Sequence, residues 1–124
     1  MIQIVHNKLS KDEVVALCEE YFGDFVKFVA DTERQVVAIG GEMHADAEAL
    51  LLKDGSKQSN LWGGNLYPEN KPEERIQYES FINVHPCNDN FSMNIEDENI
   101  RERVRSLIET LILSPDETVN LGDK

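Results

Sequence analysis

The sequence is short of cysteine, of basic side chains and of long apolar runs, and each shortage excludes something. Cys18 and Cys87 are the two cysteines in 124 residues, too few for a disulfide framework and not arranged as C-x-x-C. Cys18 falls on the apolar side of an expected helix, and Cys87 lies in the turn-rich stretch Pro86-Cys87-Asn88-Asp89-Asn90. Two reduced thiols are expected, although spacing alone leaves a Cys18–Cys87 bridge open. No apolar run approaches the roughly 18 residues of a transmembrane helix. The apolar residues among Met1 to Val5 are too few for a signal-peptide core. Lys and Arg number 12 against 24 Asp and Glu, a formal net charge of −12. A nucleic-acid binder needs a positive face to neutralise phosphates. The one basic cluster, Arg101, Arg103 and Arg105, is diluted by Glu98, Glu102 and Glu109. The expectation is a cytoplasmic protein with no nucleic-acid partner and no membrane partner.

What is present is an ordinary globular composition, with 40% apolar and 29% charged residues. The length suits a single domain, expected over 1–115, with an acidic tail at 116–124 that should fray. Ile2 to Val5 reads as a short strand. Ser10-Lys11-Asp12-Glu13 is a capping box, with Leu9 and Val14 placed as a hydrophobic staple. Val14, Leu17, Cys18 and Tyr21 then recur on one helical face, and Gly23 can end the helix, so about 11–22 is helical. Residues 25–31 and 35–40 are rich in Val, Ile and Phe around Thr32-Glu33-Arg34 and read as a hairpin covered on both faces.

Glu42 to Asp54 is ambiguous in period, but its Ala and Leu favour a helix over about 44–53. Leu61 to Pro68 reads as a strand with a glycine kink or bulge at Gly63-Gly64. Arg75 to Val84 alternates and completes a second hairpin. Asp97 caps a final helix with apolar Ile100, Val104, Leu107, Ile108, Leu111 and Ile112. The order β-α-β-β-α-β-β-α implies an α+β fold: a mostly antiparallel sheet of two hairpins and a short N-terminal strand, packed by three helices.

Chemistry is most concentrated in Gly40-Gly41-Glu42-Met43-His44-Ala45-Asp46-Ala47-Glu48. On a helix, His44 and Glu48 are i, i+4 neighbours. An imidazole beside carboxylates suits acid–base work or a divalent metal. Lys27, Glu42, His44 and Asp46 are therefore the catalytic candidates, with Lys27 as an electrophilic or charge-balancing partner. Glu42, His44, Glu48 and His85 are the metal candidates. No resident cofactor is expected beyond such a divalent metal. The competing reading is a solvated helix face with a weak surface pair. Three carboxylates oppose a phosphate at the glycines, so a small cation or an amine is the ligand class this mouth favours. A second set, Gln58, Trp62, Asn65 and Tyr67, provides pocket candidates through two amides and two aromatics. The alternative is that Trp62 fills the core and Gly63-Gly64 allows close backbone approach.

Across Phe22-Gly23-Asp24 with Val26-Lys27, Gly40 through Glu48, Gly55-Ser56 with Gln58, and Leu61-Trp62-Gly63 with Asn65-Leu66-Tyr67-Pro68, the chain resembles a family of small bacterial and archaeal proteins known as a domain of unknown function. The resemblance runs from about 2 to 113. It implies a stand-alone cytosolic protein and brings no reaction, cofactor or catalytic residue. Two functional expectations follow: a non-enzymatic binding or assembly protein, with a homodimer among its forms, or a small metal-dependent or acid–base enzyme centred on Glu42, His44, Asp46 and Glu48.

Overall fold

The capping box forms as its sequence requires. Ser10 Oγ accepts from the Glu13 N–H at 3.2 Å, and Glu13 Oε1 accepts from the Ser10 N–H at 3.0 Å. A computed structural model describes residues 1–121. Within them lie strands β1 (Gln3–Val5), β2 (Val26–Asp31), β3 (Val36–Ile39), β4 (Leu61–Leu66) and β5 (Ile76–Gln77). Helices α1 (Lys11–Glu20), α2 (His44–Lys53) and α3 (Glu98–Leu111) are interleaved to give the expected order. The strands make one antiparallel sheet in the order β1-β3-β2-β4-β5, an α+β fold.

Strand alternation sorts the core into two faces. Val26, Phe28 and Ala30 join Val37, Ile39, Trp62 and Leu66 beneath α1 and α3, which supply Val14, Leu17, Cys18, Val104, Leu107, Ile108 and Leu111. Val29, Val36, Ala38 and Leu61 face the other way, against Ala47 and Leu51 of α2. The sheet is thus covered on both sides, which is why β2 and β3 are apolar at almost every position. Among the described residues no helix is long and apolar enough to cross a membrane. Cys18 is buried and Cys87 exposed, and both are free thiols.

Three expectations change. Gly63 and Gly64 cause no bulge, because β4 pairs with β2 in unbroken register from Leu61 to Leu66. Their missing Cβ atoms make room instead. A Cβ on Gly64 would meet Phe28 Cζ at 2.6 Å, and one on Gly63 would meet Ser80 Cβ at 2.9 Å. The strand expected over 75–84 stops at Gln77. Ser80 Oγ accepts from the Ile82 N–H at 3.2 Å and starts a 3-10 turn at Phe81–Asn83, which ends the extended run. The tail is packed rather than frayed as far as it is described. Val119 and Leu121 are buried in the larger core, the Arg75 guanidinium donates to the Ser114 and Glu117 carbonyls, and Lys8 pairs with Glu117 at 2.8 Å. Positions 122–124 of that expected tail lie outside the described residues.

Candidate functional site

The residues singled out from sequence fall at two places on β4. The first is the end of the sheet where α2 begins. Gly40 and Gly41 take φ of +111° and +90°, a bend that glycine adopts without strain, and deliver the chain from β3 into α2. His44, the first residue of α2, sits half-buried with Nε2 2.8 Å from the Gly64 carbonyl. Donating there puts the ring proton on Nε2. Burial and the nearby Lys27 ammonium hold the His44 pKa below its ordinary 6.5, against the opposing effects of Gly64 and Asn65. His44 is therefore a neutral imidazole that anchors the helix to the sheet.

Lys27, Asn65 and Gln77 lie side by side across β2, β4 and β5. Asn65 Nδ2 donates to Gln77 Oε1 at 2.7 Å. Asn65 lies close enough to His44 to favour its charged form, yet no hydrogen bond of ordinary geometry joins them, and Asn65 Oδ1 is buried without a partner. The Lys27 ammonium lies 5.4 and 5.7 Å from the ring centroids of Phe22 and Phe25. Phe25 stacks between Phe22 and Tyr67, at 4.5 and 5.0 Å. Glu42, in the turn before α2, and Asp46, in its first turn, are exposed. His44 and Glu48 do not pair: the imidazole bonds to Gly64, while Glu48 exerts its charge on His85. Among the described residues no three His, Cys, Asp or Glu side chains come together to hold a metal ion, so Glu42, His44, Glu48 and His85 do not form one cluster.

The second place is the far half of β4 and the loop beside it. Gln58 and Trp62 converge on His85, whereas Asn65 and Tyr67 belong to the first place, so the four pocket candidates do not line one pocket. Trp62 is 2% exposed in the larger core and its ring lies 4.5 Å from that of His85. His85 Nδ1 is 3.3 Å from Asn88 Nδ2, which also donates to the Ser59 carbonyl at 3.0 Å. The other ring nitrogen, Nε2, lies 3.2 Å from the Gln58 amide nitrogen. Burial keeps the His85 pKa below the ordinary value, although the hydrogen bond to the Ile82 carbonyl and the Glu48 charge act the other way.

Sequence reasoning missed the two residues that build this loop. Asn83 is fully buried and takes the place of an edge strand. Its Oδ1 accepts from the Gly63 N–H at 2.7 Å, and its Nδ2 donates to the Gly63 and Met93 carbonyls at 2.9 and 3.0 Å. Asn90, 3% exposed, lies within 3.0 Å of the carbonyls of Asn83, Ser92 and Asn94 through Nδ2 and accepts from the Glu96 N–H at 2.9 Å. Antiparallel bridges Glu79↔Asn94 and His85↔Asn90 tie the two arms. The loop displays apolar side chains outward: Phe81 is 83% exposed, Phe91 67%, Val84 40% and Met93 36%. The signal in the sequence was Phe81 and Phe91, two large aromatic residues in a stretch dense in Ser and Asn. On the α3 side, His6, Gln35, Arg103 and Thr110 help line an open groove of about 710 Å³ floored by Leu107 and Leu111.

The model of a family described as a protein of unknown function (DUF5674) matches residues 3–111. The chain belongs to this family. The match runs from the first residue of β1 to the last of α3, so both places on β4 are parts of the family domain. It agrees with the expected resemblance to a domain-of-unknown-function family. No curated protein matches the chain, and no solved structure matches it.

Proposed function

We propose that this protein acts by binding a macromolecular partner on the 79–95 loop, not by catalysis at His44. One observation carries this: a loop tied together by two buried asparagines leaves the large apolar side chains of Phe81, Val84, Phe91 and Met93 exposed. Aromatic residues and Met are enriched in interfaces, and a grouped exposure of large apolar side chains marks interaction surfaces. A pre-ordered loop also lowers the entropy lost on association. The groups that chemistry would need are committed to structure. His44 is bonded to Gly64, His85 is enclosed by Trp62, Gln58 and Asn88, and burial pushes the Cys18 thiol up to about 12.

The test compares three forms of the protein as bait in an extract of its source cells. A discrete protein retained by the native chain and by His44→Ala, but lost with Phe81→Ser/Phe91→Ser, supports the proposal. Loss with His44→Ala and retention by the loop variant would reverse it.

A further inference from the structure

The loop surface has a second property, its charge. From Ile76 to Ile100 the sequence contains no Lys or Arg and five carboxylates: Glu79, Asp89, Glu96, Asp97 and Glu98. Of the two arginines that bound this stretch, Arg75 is spent mostly on carbonyls of the 114–117 segment, while Arg101 lies against the stretch and offsets one of its five charges. Arg75 is buried, and its guanidinium donates to the Asn70, Ser114 and Glu117 carbonyls. Arg101 donates from Nε to the Ile95 carbonyl and lies over the Tyr78 ring at 4.9 Å. Asp89, Glu96, Asp97 and Glu98 are exposed. Glu96 accepts from the Phe91 and Ser92 N–H groups and the Ser92 hydroxyl, which keeps it ionised beside Phe91.

Resting on the binding reading above, we propose that the occupant of this loop is a cationic amphipathic segment of another protein. Its apolar side chains would meet Phe81, Val84, Phe91 and Met93, and its Lys or Arg would meet Asp89, Glu96 and Glu98. Charge complementarity excludes the other occupants. A second copy would bring the same carboxylates against each other, and an anionic membrane or a nucleic acid would be repelled. The fields add to a whole-molecule charge of −12, which steers a basic partner inward.

The experiment uses the full chain and three synthetic helical peptides of equal length, followed by fluorescence anisotropy. One alternates Leu and Lys on opposite helix faces, one replaces its Lys with Glu, and one replaces its Leu with Ser. The proposal expects binding of the Leu/Lys peptide alone. Its affinity should fall about tenfold in Phe81→Ser/Phe91→Ser and about threefold in Asp89→Asn/Glu98→Gln. It should not change in Glu73→Gln/Glu74→Gln, which removes two exposed carboxylates outside the loop. Asparagine tolerates the φ of +58° at Asp89, so that change leaves the loop shape intact. Equal binding of the Leu/Glu peptide overturns the cationic partner and leaves the binding reading standing. Binding of the Lys/Ser peptide, or indifference to the phenylalanine changes, overturns both, because net charge alone would then explain the attraction. No binding of the Leu/Lys peptide overturns this inference, and the extract comparison then decides the broader reading. A dimer in sedimentation that the phenylalanine changes dissolve would make a second copy the occupant and overturn it.

Discussion

The two ends of β4 invert what their residues suggest. The end at Asn65 gathers the side chains most associated with chemistry: an imidazole, an ammonium and an amide under a row of aromatic rings. There the histidine fastens α2 to the Gly64 carbonyl, while Asp46 on that helix and Glu42 in the turn before it are exposed to solvent. The end at Gly63 has a loop of Ser, Asn and Phe with little apparent chemistry. There two asparagines supply the hydrogen bonds a strand would have supplied, and the chain around them shows Phe81, Val84, Phe91 and Met93 to solvent. A histidine does not make a site when its ring N–H is already spent on a backbone carbonyl. Inert residues make a surface when buried bonds hold them in place.

That contrast can be broken by substitution. The largest effect should come where the loop meets the core. Trp62→Ala removes a buried ring that packs against both β2 and His85, and should cost about 3–5 kcal/mol. Urea denaturation measures it, and a cost below about 1 kcal/mol would detach the loop from the core. Asn90→Ala leaves loop carbonyls and the Glu96 N–H without a side-chain partner. It should cost about 3 kcal/mol, given ~1–3 for each buried group left unsatisfied. It should also speed amide exchange at Ser80 and His85, whose N–H groups donate across the loop to Met93 and Asn90. Unchanged exchange would mean the asparagine is not what holds the arms together.

Gly64→Ala should cost about 1–3 kcal/mol by forcing a methyl against Phe28 and the Gln77 carbonyl. His44→Ala, which removes one half-buried hydrogen bond, should cost about 1 kcal/mol and leave loop exchange unchanged.

The smallest effect is in pH. Both His44 and His85 have folded pKa values below the ordinary 6.5. Below pH 6.5 the unfolded chain therefore binds protons that the folded chain does not, and stability falls as pH drops toward the folded values. His44→Gln should flatten that fall in urea midpoints measured between neutral and mildly acidic pH. An unchanged slope would show that the imidazole is not held neutral at the Gly64 carbonyl.

The fold was legible because its determinants are local and periodic. Ser10 and Glu13 cap α1 from three residues apart, and Ile100, Val104, Leu107 and Leu111 mark the face of α3 without reference to the sheet. The α2 assignment followed from Ala and Leu propensity. The short β5 was not legible. Alternation continued through Tyr78, Ile82 and Val84, but the decisive contact is Asn83 reaching Gly63, 20 positions away, and no period encodes it. The packed tail was equally hidden, because Val119 and Leu121 are single apolar residues among polar ones and find the core only through the fold. The candidate site was misjudged for the same reason. Spacing placed His44 beside Glu48, and it could not show that a backbone carbonyl would claim the imidazole first.

The most direct test follows amide chemical shifts of the labelled full chain as the Leu/Lys amphipathic peptide is added. The account predicts shifts confined to residues 79–98 and the adjoining Gly63, with Lys27, His44 and Asn65 unmoved. Changes centred on Lys27, His44 and Asn65, with the loop silent, would contradict it.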